Sequence, residues 1–181
     1  YFPVLAMAMA SDLRWAISAA GDGTVKVWDP DTGCYRGDLL AEQQANVTAL
    51  ALLPASEQVA CGDRYGQITL WRLPSRTLLS TWQAHEGPIS RLVVTPDSRY
   101  IVSGGEDNRV SISDPIAGTC LKQLEGHRGA VFSLAMTPEG RRAISGSRST
   151  LFLWDLEARK ALAAMKGHDG WITAVAVAPT G

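Results

Sequence analysis

The chain has few of the residues that usually carry chemistry. It holds three histidines and three cysteines in 181 residues. Cys34, Cys61 and Cys120 form an odd set with no CxxC half-site, which offers neither a disulfide framework nor a paired-thiolate metal site. An intracellular and most simply cytoplasmic location is expected. Long apolar runs are also missing: Val4 to Ala10, the longest near the start, is too short to span a bilayer and lacks a basic flank, so neither membrane insertion nor a secretory signal is expected. With a formal net charge of -1 and no long basic block, binding to nucleic acid by phosphate neutralisation is not expected either. There is no GxxxxGK[ST] run to cradle phosphate and no GxSxG nucleophile elbow. Asn46-Val47-Thr48 fits the N-glycosylation pattern, but it stands alone and reads as chance. The chain starts at Tyr1 and stops at Gly181 inside a turn-like stretch, as a piece of a longer polypeptide would.

What is present is 46% hydrophobic residues, a globular composition, and a repeat. The stretch Gly126 to Asp155 sets its pattern: VFSLAM and TLFLW alternate, RAISG lies between them, TPEGR and SRS are turns, and KALAAM follows. Trp28, Trp71, Ser113 and Trp154 end the third strand of successive units at steps of 43, 42 and 41. Pro54, Pro96, Pro138 and Pro179 step by 42, 42 and 41, and His85, His127 and His168 by 42 and 41. Three residue types keeping one period near 42 exclude coincidence. The units run 1–40, 41–82, 83–124 and 125–166, with the first strand of a fifth in 167–181.

Each complete unit supplies four short antiparallel strands. In the third strand Val25 and Val27, Ile68 and Leu70, Val110 and Ile112, and Leu151 and Leu153 share one face, while Trp28, Trp71 or Trp154 stands on the other. A sheet apolar on both faces must be sandwiched between neighbours. Radial stacking of such sheets is one way to do this.

Gly126-His127, the PEG turn, Ser145-Gly146 and Trp154-Asp155, with GHDG at Gly167 and WDP at Trp28, resemble the repeats of a WD-repeat β-propeller. The resemblance covers nearly the whole chain, and PEGRRAISGS and PDSRYIVSGG are similar to the WD-repeat region of NACHT and WD-repeat proteins. It implies an all-β propeller fragment of about four four-stranded blades plus the first strand of a fifth. It also implies a hydrogen-bonded set of His, Ser or Thr, Trp and Asp within each blade. Of that set the first unit offers Ser18, Asp22 and Trp28. The second offers Trp71 only, with Gln43, Cys61 and Tyr65 at the other stations. The third offers His85, Ser103 and Asp107, with Ser113 in place of the tryptophan. The fourth offers His127, Ser145 and Trp154, but its SRS turn is one residue short and brings Arg148 rather than an aspartate; His168 would begin the fifth. The second blade is expected to be the least tethered by polar contacts.

Ser103, His85 and Asp107 are also the ingredients of a nucleophilic triad. Their recurrence in several units argues for structure instead, since chemistry needs one such site and stability needs one per repeat. Histidines on different units cannot converge on one metal. No cofactor is expected, and function is expected on surfaces. The resemblance implies partner contacts beside the first-strand anchors Val47, Ile89, Val131 and Ile172 and just before the turn aspartate. Asn46, Arg64, Ser90, Glu106, Phe132, Arg148 and Trp171 fall there, Phe132 and Trp171 being equally compatible with burial between blades. The expected function is a non-catalytic scaffold or sensor that binds a protein partner. The alternative is an enzyme or small-ligand binder using the central channel, and contact with nucleic acid through Arg141, Arg142 and Arg148 ranks third.

Overall fold

The computed structural model describes residues 2–10, 12–40, 46–54 and 56–179. Among these are sixteen strands and no helix. Strands β1 (Val4–Met9), β2 (Ala16–Ala20), β3 (Val25–Trp28) and β4 (Tyr35–Leu40) form the first sheet; β5 (Val47–Leu53), β6 (Gln58–Asp63), β7 (Gln67–Arg72) and β8 (Thr77–Gln83) form the second. The third holds β9 (Ile89–Val94), β10 (Ile101–Gly105), β11 (Val110–Asp114) and β12 (Thr119–Leu124), and the fourth β13 (Ser133–Met136), β14 (Arg142–Gly146), β15 (Thr150–Asp155) and β16 (Lys160–Lys166). Every sheet is an antiparallel meander, which short turns favour.

The sheets stack with their first strands, β1, β5, β9 and β13, side by side. An apolar layer fills each of the three spaces between successive sheets. Val25 and Val27, Ile68 and Leu70, and Val110 and Ile112 are all buried in these layers, each contributing about 1.5 to 3 kcal/mol. Leu151 and Leu153, at the corresponding positions of the last sheet, are only half-buried, because no further sheet covers them.

Small residues in the second strands let the sheets approach. A Cβ on Gly62 would meet Ile89 at 2.8 Å, one on Gly104 would meet Val131 at 2.7 Å, and one on Gly146 would meet Ile172 at 2.7 Å. Each glycine is therefore a socket for the β-branched anchor of the next sheet. In the first sheet Ala19 holds that station, and the anchor it packs against is the smaller Val47. Hydroxyls fasten the same seam: Thr48 Oγ1 donates to the Ile89 carbonyl at 2.5 Å, Ser90 Oγ to the Val131 carbonyl, and Ser133 Oγ to the Ile172 carbonyl at 3.0 Å.

Two expectations need correction. Residues 167–179 form no strand. No strand among the described residues pairs with this segment; Ile172 docks with its N–H on the Ser147 carbonyl and its carbonyl under Ser133. In the fourth sheet β13 begins at Ser133 rather than Val131. The outward face of the first sheet is open, with Val4 58%, Met7 76% and Met9 61% exposed.

Candidate functional site

Two kinds of candidate emerge: a polar set inside each sheet and a surface at the loop ends. The inner set is complete in the third sheet. His85 lies in the loop before β9, Ser103 on β10 and Asp107 in the turn after it, which brings three distant stretches to one imidazole. Nδ1 is 2.9 and 3.1 Å from the two Asp107 carboxylate oxygens, and Nε2 is 2.8 Å from Ser103 Oγ. Nδ1–H donates to the carboxylate, so Nε2 accepts from the serine hydroxyl. Burial pushes the Asp107 carboxyl up, but the hydrogen bonds from His85, the Glu86 N–H and the Arg109 N–H hold it below the ordinary carboxylate range. Gly105 is a glycine because its Cβ would collide with both His85 and Asp107.

These are the distances of a nucleophilic triad, yet His85 and Ser103 have 0% exposure. A substrate cannot reach the hydroxyl, so the set is a strut. Among the described residues no indole donates to Ser103; Trp82, on β8 of the second sheet, instead donates its indole N–H at 3.0 Å to Ser113 Oγ, the residue that stands at the tryptophan station. Sequence reasoning missed this, since Trp82 ends an outer strand and breaks the tryptophan spacing. Its only sequence signal is a serine where the repeat asks for an indole partner.

In the fourth sheet Trp154 donates to Ser145 Oγ at 2.7 Å, and His127 Nε2 lies 2.6 Å from the same oxygen. Ser145 accepts from the indole and donates to Nε2, which leaves the imidazole proton on Nδ1. That atom is buried with no partner. The short turn supplies no carboxylate; Ser147 occupies the station of Gly105 and donates instead to the carbonyls of Gly129 and Ala130 at 2.6 and 2.8 Å. Burial drives the His127 imidazole down to about 4. Phe152 packs edge-on against the ring at 4.7 Å.

The remaining stations are partial. Trp28 donates to Ser18 at 2.9 Å, while Asp22 caps its own turn through the Thr24 N–H and hydroxyl. Trp71 turns to Thr69 at 3.0 Å. Cys61 fills the serine station as a buried thiol, its pKa pushed up to about 12 by desolvation. The carboxylate of that turn is Asp63, not the Tyr65 station; it accepts from the Tyr65 and Gln67 N–H groups at 2.9 and 2.8 Å. Gln43 lies outside the described residues. His168 is exposed, and no second strand stands beside it among the described residues.

At the surface, Asn46, Arg64 and Glu106 come together. With Thr48, Pro88 and Gly21 they line a concavity of about 440 Å³ fed by loops of the first three sheets. Backbone bonds fix its rim: the Arg64 N–H donates to the Asn46 carbonyl at 3.0 Å, and the Glu106 N–H to the Pro88 carbonyl at 2.9 Å. Ser90 does not belong to that surface; its hydroxyl is spent on the Gly104 and Val131 carbonyls inside the seam. Phe132, Trp171 and Arg148 form a separate patch. Phe132 is half-buried and meets Trp171 edge-on at 5.2 Å, while Trp171 is 53% exposed. Arg148 is exposed, and it and Trp171 both lie beside Gly129.

The family described as WD domain, G-beta repeat matches residues 2–29, 76–114 and 118–155, together more than half of the chain. The stretch between the first two matches holds β5, β6 and β7, the strands that lack the serine and the turn-station aspartate of the repeat.

Proposed function

The chain belongs to the WD domain, G-beta repeat family, and from that membership we propose that it is a non-catalytic platform that binds a protein partner, as a scaffold or sensor within a longer intracellular polypeptide. WD repeats generally mediate protein–protein interaction, and such domains are typically non-enzymatic. The observation that carries the reading is the concavity lined by Asn46, Arg64 and Glu106. Its walls come from three sheets that are rigid because their seams are sealed by anchors and hydroxyl ties, so side chains from distant parts of the sequence are held in fixed relation. Arg64 lines this hollow, and arginine is among the residue types that most often anchor a binding interface.

A photo-crosslinking residue placed at Arg64, with the exposed Leu79 as control, reads this directly. One partner crosslinked at 64 and not at 79 is the expected result. Arg64→Ala combined with Glu106→Ala is then expected to weaken capture of that partner at least about tenfold while the thermal melt stays unchanged. Equal capture by the variant overturns the reading.

The convergence of a guanidinium, a carboxylate and an amide in one hollow also favours a second reading, a small polar ligand at the same place. It predicts shifts confined to the signals of Arg64, Glu106 and Asn46 when amino-acid zwitterions are screened by NMR. An absence of such shifts removes it.

A further inference from the structure

The fourth sheet carries a second site, independent of the hollow at Arg64. Where its short turn leaves out the aspartate, a cavity of about 660 Å³ opens, lined by His127, Arg128, Arg148, Phe152, Lys166 and Asp169 among others. His127, 8% exposed, stands in its wall with Nδ1 unpartnered. Because Ser145 already donates to Nε2, this atom is a donor that lacks an acceptor. An orphaned buried donor is a standing cost that an incoming acceptor relieves.

The charges around the cavity are the reverse of those around the same station one sheet earlier. Glu86 follows His85, whereas Arg128 follows His127. Two residues beyond the socket glycine stands Glu106 in the third sheet and Arg148 in the fourth. After the outer-strand residue paired with Val110 comes Glu125; after the one paired with Leu151 comes Lys166. The third sheet closes on itself, with Asp107 on His85 and Arg109 paired with Glu86 and Glu125 at 3.3 and 3.5 Å. Arg128, Arg148 and Lys166 are all exposed, and among the described residues none of them makes an ion pair. The cavity lining thus offers three cations and one buried donor against one acid, Asp169.

We propose that this cavity binds a carboxylate side chain of an acidic peptide segment from a partner protein, supplied to His127 from outside as Asp107 is supplied to His85 from within. The guanidinium groups of Arg128 and Arg148 suit planar two-oxygen recognition. Phe152 gives the peptide's aliphatic carbons an apolar wall, and the volume admits a side chain with part of its backbone. Nδ1 itself is closed to bulk water, so the carboxylate reaches it by displacing the side chains of the Arg148 turn.

The probe is an end-capped Gly-Asp-Glu-Asp-Gly peptide, with its Gly-Asn-Gln-Asn-Gly counterpart as control, titrated into the chain and followed by NMR of the His127 ring nitrogens. Saturation with the acidic peptide is expected to raise the His127 pKa from about 4, because a nearby anion favours the imidazolium over the desolvating pocket; the neutral counterpart is expected to do nothing. Arg148→Glu and Arg128→Glu, both at exposed positions, are each expected to lower the affinity at least about tenfold with the thermal melt of the free chain unchanged. Ser147→Gly with one aspartate inserted after Arg148 rebuilds the turn of the third sheet and is expected to abolish binding by filling the station from within. Arg64→Ala is expected to leave the affinity unaltered, which separates this site from the proposed partner hollow. Equal binding of the two peptides, a silent His127 ring, affinity unmoved by both charge reversals, or inorganic phosphate binding more tightly than the acidic peptide would each overturn the assignment.

Discussion

The third and fourth sheets share strand count, register and socket glycine, yet they end their polar sets in opposite ways. One closes the set with a carboxylate and lacks its own tryptophan; the other keeps the tryptophan and lacks the carboxylate. In the third sheet an indole from the neighbouring strand β8 bonds the serine at the tryptophan station, and Ser103 is held by His85. In the fourth nothing among the described residues replaces the acid, and a basic cavity stands in its place. One turn residue more or fewer therefore decides whether the same histidine serves as a strut or faces a pocket.

The widest separation between the two sheets is expected when each histidine is removed. His85→Ala takes the imidazole donor from the Asp107 carboxylate, 8% exposed, and the acceptor from the buried Ser103 hydroxyl, while the Glu86 and Arg109 N–H groups stay on Asp107; about 2 to 3 kcal/mol is expected. His127→Ala removes an already half-satisfied ring, and Ser145 keeps its indole donor; about 1 to 2 kcal/mol is expected. Urea unfolding of both variants measures the gap. Equal losses would mean that the carboxylate adds nothing to the strut.

Acid is expected to attack the two sheets in a fixed order. An unfolded histidine titrates near 6.5, whereas His127 in the fold has fallen to about 4. Between those values the unfolded chain binds more protons, so stability is full above about pH 6.5 and declines as the pH falls towards 4, by an amount on the order of 3 kcal/mol. Asp107 has the opposite history. Its folded pKa lies below the ordinary value, so its contribution persists at any pH above about 4 and is lost only as the pH drops through the folded value. Hydrogen exchange at pH 5 is therefore expected to loosen β14 before β10, and His127→Gln is expected to flatten the decline between pH 6.5 and 4. Simultaneous loosening of both strands would contradict the assignment of that window to His127.

What could be read in the sequence follows the period. Strand pattern and turn residues are local, so β14 falls on RAISG and β15 within one residue of TLFLW. The incomplete sets were legible for the same reason, because a station one repeat away predicts what should stand there. Partners that cross a seam were not legible. Trp82 reaches Ser113 from another sheet, Ser90 spends its hydroxyl on the next anchor's carbonyl, and Asp63 caps a turn from two residues before the expected station; none of these obeys the period. The charge reversal between Glu86, Glu106 and Glu125 and Arg128, Arg148 and Lys166 was present in the letters. It acquires meaning only when the register shows that the six residues surround one station in two copies.

The smallest expected effect concerns the lent indole. Trp82 is 7% exposed and packs among Ile68, Leu70, Ile89 and Leu92, so Trp82→Phe keeps most of the apolar contact and mainly deletes the bond to Ser113. A buried hydroxyl left without that donor costs about 1 kcal/mol. Trp154→Phe removes the indole bond to Ser145, which stands at the station of Ser103 rather than of Ser113, and is expected to cost about the same. The two differ in where the loss is felt. Trp154 and Ser145 sit in one sheet, whereas Trp82 and Ser113 sit on either side of a seam, so Trp82→Phe is expected to speed exchange in β8 and β11 together and Trp154→Phe in β14 and β15 alone. A double-mutant cycle of Trp82→Phe with Ser113→Ala is expected to give a coupling of about 1 kcal/mol. A coupling near zero would show that the third sheet does without an indole altogether, and the parallel between its borrowed tryptophan and the native one of the fourth sheet would fail.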